Sequence, residues 1–243
     1  MLYESLASLP PSQFRRACGF SRSTFQAMLE VLRPALDRSG KRGGQNSLSV
    51  ENQLLLTLQY WREYRTQFHI GLDFGVSEAT VCRIINRVET VLVKSGRFAL
   101  PGKRRLLDPE TDESVVVIDW RSGQFLAVAI GRGRTHDLRL WRESAFRLAP
   151  DRLCLADSGY QGLARHHEAT ILPKRKPPRK CLPDEEKACN QALAAVRIWI
   201  EHAIRRLKRF RIFSERYRNR RRRFGLRLHL LAGLLNYQAA HPI

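Results

Sequence analysis

"ESVVVIDWRSGQFLAVAIGRGRTHD", residues 113–137, holds two apolar runs, Val115–Ile118 and Phe125–Ile130, with the turn signal "RSG" between them. Both runs are apolar on alternate positions of each face. A strand of that kind must be covered on both sides, which predicts a layered α/β domain rather than a one-faced sheet. Asp119 stands where the first run ends. An aspartate there has two readings. It opens a turn well, because its carboxylate accepts hydrogen bonds from the backbone that follows. It is also a metal ligand of the kind that strand ends present to a site.

Downstream, "RLCLAD", 152–157, is a further short strand that closes on Asp157, and "ATILP", 169–173, is a fourth. Between them lies the tight loop "DSGYQG". "KRKPPRK" is a basic, proline-rich loop. The stretch 183–210 then has helical spacing, with Leu193, Val196, Ile200, Ala203 and Leu207 as its buried stripe. "RNRRRRFGLRLHLLAGLLNYQ" supplies a basic loop and one more apolar helix.

Upstream, "RFALPGKRRLLDPETDES", 97–114, is rich in proline, glycine and charge, and it marks a domain boundary. The expected division is a helical region over 1–100, a linker over 101–114 and an α/β domain over 115–243. In the first region helices are expected from Pro11 or Ser12, from Ser21 or Ser23, and around Leu54, Leu55, Leu58, Tyr60 and Trp61. "RSGKRGGQNS", 38–47, reads as a linker. "TQFHIGLDFG" is a short helix ended by Gly75, and "SEATVCRIINRVETVL" a longer one capped by Ser77. Val81, Ile84, Ile85 and Val88 form the buried stripe of the longer helix, and Thr80, Arg83, Asn86 and Arg87 lie off it. Short helix, glycine turn and capped polar-faced helix make a helix-turn-helix pattern, whose second helix can enter the major groove.

Charge supports that reading. The chain has 243 residues, 43 Lys and Arg against 23 Asp and Glu, a net charge of +20 and pI ≈ 10.8. Such a balance points to a polyanion, and nucleic acid is the commonest large one. No apolar stretch reaches membrane-spanning length, and the N-terminus lacks a signal pattern. Cys18, Cys82, Cys154, Cys181 and Cys189 are odd in number and without CxxC spacing, so reduced thiols in a cytosolic protein are expected.

Three carboxylates stand out by position: Asp119, Asp157 and Glu201, the last in the middle of the long helix. If the strands before the two aspartates are parallel neighbours, both groups converge on one sheet edge, and the helix can bring Glu201 across it. Three oxygen donors of this type suit Mg²⁺, which retains waters, and a metal pair suits in-line displacement at a phosphodiester. Each also has an ordinary role: a turn for either aspartate, and an ion pair with Arg197 or Arg205 for Glu201.

The stretches "GVSEATVCRIINRVE", "GQFLAVAIGRGRTHDLRLWRES", "LADSGYQG" and "IEHAIRRLKRFRIFSERYRNRRRRFGLR" resemble the DDE-type bacterial insertion-sequence transposases, in the group around insertion sequence five. The resemblance covers most of the chain. It implies an α+β protein, with an all-α helix-turn-helix region followed by an RNase H-like catalytic domain that uses Mg²⁺ or Mn²⁺. It makes Asp157 the second catalytic aspartate and Glu201 the catalytic glutamate, with Asp119 the best available first. Asp137 in "GRTHD" matches a recurrent family position, either at a helix start or near the metal site.

The partner implied is double-stranded DNA at the element's terminal inverted repeats, bound by a homo-oligomer in the bacterial cytoplasm, at the nucleoid. Ser77, Thr80, Arg83, Asn86 and Arg87 would help read it. The run Arg205, Arg206, Lys208, Arg209, Arg211, Arg216, Arg218, Arg220, Arg221, Arg222 and Arg223 would follow its phosphates. One departure stands out. "VVVID" passes straight into "WRSGQFLAV", where similar proteins place a polar excursion and a further strand. One strand is therefore expected to be missing, and weak or absent catalysis follows, because two carboxylates alone hold a metal pair poorly.

Overall fold

A computed structural model of the chain describes residues 2–40, 44–101, 113–131, 137–143, 148–176, 181–218 and 223–242. Most of the expected linker, 101–114, lies outside them, as do Arg220, Arg221 and Arg222. The residues fall into two compact units. One comprises Met1–Ala99, Arg205–Asn219 and Leu226–Ile243, the other Leu100–Ile204 and Arg220–Gly225.

The first unit is helical: α1 Tyr3–Ala7, α2 Pro11–Cys18, α3 Arg22–Leu36, α4 Val50–Glu63, α5 Gln67–Phe74 and α6 Glu78–Lys94. Local chemistry sets these bounds. Pro11 opens α2, where its missing N–H has no intrahelical partner in any case. The hydroxyls of Ser21, Ser49, Thr66 and Ser77 accept from amides three residues on, capping α3, α4, α5 and α6. Helix α4 is buried almost all round, from Val50 through Leu54–Leu58 to Trp61, which makes it the centre of this unit. Cys18 is enclosed too, and burial pushes its thiol up to about 12. All five cysteines are unpaired.

The rest of this core arrives from the far end of the sequence. Phe210 and Ile212 are buried, and so are Leu228, Leu230, Leu231 and Leu234 of the last helix, Phe224–Ala240. Expectation had assigned 205–243 to the α/β domain, whereas here 205–219 and 226–243 complete the helical unit. Two glycines record how close the approach is. At Gly19 (φ +84) an added Cβ would lie 2.7 Å from the Phe210 ring. At Gly233 it would lie 1.8 Å from the Phe98 carbonyl oxygen.

A charged pair joins the last helix to α6. Glu89 is 0% exposed and Arg227 4% exposed, with Nε 2.5 Å from Oε1. Trp61 Nε1 donates to the same carboxylate oxygen at 3.1 Å, and Arg227 Nη1 donates to the Tyr217 hydroxyl. The guanidinium also lies over the Tyr60 ring, 5.2 Å from its centroid. Burial opposes the charge on Arg227, but the Glu89 carboxylate outweighs it and holds the group protonated above its ordinary range.

The second unit carries the strands: β1 Glu113–Ile118, β2 Phe125–Gly131, helix α7 Asp137–Glu143, β3 Cys154–Leu155 and β4 Thr170–Ile171. Helix α8, Asp184–Lys208, follows, and the last helix is α9. β1 and β2 form an antiparallel hairpin from Glu113↔Gly131 to Ile118↔Phe125, and β3 and β4 a parallel pair. Among the described residues these are two separate two-stranded sheets. The α+β class is as expected, but the strands ending at Asp119 and Asp157 are not neighbours.

A small core of Trp141 and Leu163, with Val117, Leu138, Leu148, Cys154, Ala156 and Tyr160 against it, joins β1, α7 and β3. Cover is incomplete: Val116, Val117, Ile118 and Leu126 are only half-buried. The stripe expected on α8 is likewise only partly realised. Ala203 and Leu207 are buried, whereas Leu193, Val196 and Ile200 are half-buried, and Ile198 and Trp199 are 51% and 61% exposed. A helix face needs a layer to lie on, and the described strands offer little of one.

Two substitutions test the helical unit. Glu89→Ala leaves Arg227 buried without its counter-charge and is expected to cost about 3–5 kcal/mol in denaturant unfolding. An unchanged midpoint would remove the pair from that role. Gly233→Ala must displace backbone, so a loss of at least about 1–3 kcal/mol is expected, read as a lower Tm.

Candidate nucleic-acid interface and carboxylate site

α5 and α6 form the helix-turn-helix expected from the sequence. Gly75, at φ 65, ends α5, and the Val76 amide donates to the Gly71 carbonyl at 2.9 Å. A Cβ at Gly71 would lie 2.5 Å from the Val76 carbonyl oxygen, so the turn packs onto α5 only because that position has no side chain. Val81, Ile84, Ile85, Val88 and Leu92 are buried along one face of α6.

The opposite face carries exposed Ala79, Arg83 and Arg87, with half-buried Thr80 and Asn86. Arg83 is already oriented. Its Nε donates to the Ala79 carbonyl at 3.1 Å and its Nη2 to the Thr80 hydroxyl at 3.3 Å. Asn86 Nδ2 donates to Cys82 Sγ at 3.5 Å. Ser77 has a capping role, its hydroxyl 3.0 Å from that of Thr80. The face therefore offers fixed donors of the kind that read base edges, with Arg87 beside them as a free cation among the described residues.

The C-terminal basic run divides by role. Arg205, Lys208, Arg209 and Arg216 are exposed, Arg206 and Arg223 half-buried. Arg211 lies 3.7 Å from Glu63 and 3.8 Å from Glu215. Arg218 is structural: it donates to the Tyr64 carbonyl and lies 4.4 Å over the Tyr64 ring, while its amide donates to the Tyr64 hydroxyl at 2.6 Å. Charge density alone could not separate these arginines from phosphate-facing ones.

The three carboxylates are placed as follows. Asp119 is committed to the β1–β2 turn. Oδ1 accepts from the Arg121 amide at 3.0 Å and Oδ2 from the Ser122 hydroxyl at 2.8 Å. Its backbone closes the same turn, donating to the Gln124 carbonyl at 2.9 Å and accepting from Gly123 at 2.7 Å. The Ser122 hydroxyl, then the Arg121 amide, hold its carboxyl below the usual carboxylate range.

Asp157 caps the short 3₁₀ turn Ser158–Tyr160, with Oδ1 accepting from the Gly159 amide at 2.9 Å. Glu201 is exposed on α8 and makes no ion pair among the described residues, although Arg197 and Arg205 stand one turn to either side. Asp137 begins α7, which agrees with the helix-start reading of that position.

Among the described residues no three of His, Cys, Asp and Glu are gathered to hold a metal ion. Asp119 and Asp157 flank the same small core, through Val117 and Ala156, yet they belong to separate sheets.

Sequence reading missed what surrounds Asp157. The chain leaving β4 is pinned to α8, where Asn190 accepts from the Lys174 amide at 2.9 Å and donates to the Lys174 carbonyl at 3.0 Å. Arg175 Nη2 donates to the Ser158 carbonyl at 2.8 Å. The basic composition of "KRKPPRK" was visible, but not this partner.

Comparison with known proteins divides the sequence into two matched parts. Residues 46–98 match the family model described as the helix-turn-helix of DDE superfamily endonuclease, and residues 112–236 match that of DDE superfamily endonuclease. A protein of Microchaete diplosiphon, ascribed as transposase to insertion sequence element IS702, is 38% identical over 99% of both chains. One of Streptomyces albus G, ascribed to element IS112, is 28% identical over 84% of this chain and 87% of its own. No solved structure matches. The first alignment runs over 273 positions against 243 residues here, so that relative carries residues opposite gaps in this chain. With the endonuclease model spanning half of the sequence and this likeness along its whole length, the chain belongs to the DDE-type insertion-sequence transposases.

Proposed function

We propose that the protein acts as an insertion-sequence transposase whose DNA-binding half is intact and whose carboxylate half is impaired. The observation that carries this reading is a contrast. Helix α6 is capped by Ser77, and its outer face carries Arg83 held by Ala79 and Thr80, whereas each carboxylate oxygen of Asp119 accepts a hydrogen bond within its own hairpin turn. The substrate is double-stranded DNA, at the terminal inverted repeats of the element, bound by a homo-oligomer in the bacterial cytoplasm, at the nucleoid.

Ser77 sets the start of α6. Thr80 and Arg83 act as a unit toward a base edge, with Asn86 on the same face and Arg87 toward phosphate. Arg205, Lys208, Arg209, Arg223 and the run Arg220–Arg222 serve the backbone electrostatically, with Arg211 shared between DNA and Glu63. In this reading the helical region over 1–100 binds DNA and the domain over 115–243 carries the cutting and joining chemistry.

Phosphodiester cutting and strand transfer with Mg²⁺ or Mn²⁺ would fall to Asp119, Asp157 and Glu201, of which Asp157 and Glu201 are the stronger members. Divalent metal would supply an activated oxygen nucleophile and charge neutralisation. The hydrogen bonds of Asp119 within its hairpin turn support a reading in which binding outlasts cleavage.

Two measurements test the reading. In gel-shift titrations on DNA carrying the inverted repeats, affinity should fall steeply with salt, and Arg87→Ala should lower the log–log slope by about 1. Arg83→Ala should cost about 1–3 kcal/mol and relax preference at one base pair. A flat salt response would remove the assignment. In a cleavage assay with Mg²⁺ or EDTA, wild type and Glu201→Gln should be equally inactive while both still bind. Strong Mg²⁺-dependent cleavage lost in Glu201→Gln would overturn the impairment.

A further inference from the structure

We infer that Arg175 is a phosphate-binding residue of the Asp157 site, placed to hold the backbone of the DNA strand presented there. This rests on the reading of Asp157 as part of a DNA-facing site.

The parallel register of β3 and β4, Cys154↔Thr170 and Leu155↔Ile171, makes both chains leave their strands in one direction, at one edge. One chain enters the Asp157 loop within two residues. The other runs through Leu172 and Pro173 into the basic segment Lys174–Lys176. Carboxyl ends of parallel strands are where ligands bind in open α/β sheets.

The basic segment is not loose against that edge. Asn190 of α8 grips the Lys174 peptide from both its amide and its carbonyl, and Arg175 reaches back to the carbonyl of Ser158, the residue after Asp157. Two independent contacts thus fix one cation beside one carboxylate loop.

The chemistry of the group then limits its partner. A guanidinium carries five N–H donors in a planar fork, and the Ser158 bond uses one nitrogen. Arg175 is exposed and has no carboxylate partner among the described residues. A carboxylate site that receives a phosphodiester must offset repulsion between two anions, and a fixed arginine does so with matching geometry. A surface arginine kept only for solubility would gain nothing from being tied to the Asp157 loop.

Ethylation interference reads this without requiring cleavage. The full chain is bound to a duplex built from the inverted repeats flanking its coding sequence, and bound DNA is scored for excluded ethylated phosphates. Wild type should exclude ethylation at phosphates beside the element's terminus and at inner phosphates under α6. Arg175→Gln should lose the terminal exclusion and keep the inner one. Arg175→Lys, which keeps the charge but not the fork, should recover the terminal exclusion in part.

Terminal exclusion that persists in Arg175→Gln overturns the proposal alone. Its absence already in wild type overturns the reading of the Asp157 site as well. A lysine protein that recovers nothing assigns Arg175 to holding the loop, and overturns the proposal too.

Discussion

The ion pair between Glu89 and Arg227 governs the arrangement of the helical unit. Neither group can be buried alone, because an unpaired ion in a protein interior loses its hydration without compensation. α6 and α9 must therefore meet with Nε and Oε1 in contact, and Trp61 of α4 completes the carboxylate's hydrogen bonds. A pair like this adds little net stability over well-packed apolar groups. What it does is exclude other registers of α9, since a slip of one residue would leave a charge in the core. The buried face of α6 is fixed by the same contact, and so is the direction its outer face takes.

Among the described residues no buried ion pair constrains the strands in the same way. Their common core rests on Trp141 and Leu163, with half-covered hairpin residues around it. The family's chemistry needs carboxylates held from several elements at once, which demands a rigid sheet beneath them. Here the hairpin closes directly on Asp119. The Asp119 carboxylate accepts one hydrogen bond on each oxygen from its own hairpin turn.

The helix-turn-helix was legible because every signal in it is local. Ser77 lies three residues before the amide it caps, and the stripe Val81, Ile84, Ile85 and Val88 sits within one helix. Asp119 was legible only as an alternative, since the same side chain suits a turn and a metal equally well. The stripe on α8 was over-read for a different reason: periodicity shows which face is apolar but not whether a layer exists to receive it. The destination of α9 could not be read at all. Arg227 finds its partner 138 residues away, and nothing near it in sequence names that partner.

The helical unit's discontinuity bears on how the molecule comes into being. A ribosome delivers α6 early, but the buried Phe210, Ile212 and α9 leucines of the same unit emerge only after Leu100–Ile204 has been made. Until Arg227 has left the exit tunnel, Glu89 has no counter-ion. Contacts this distant along the chain form slowly, so the last step of maturation is the return of the C-terminal segment to the first helices. A chain interrupted during synthesis would carry α6 without the Arg227 counter-ion and the C-terminal segments that complete its unit.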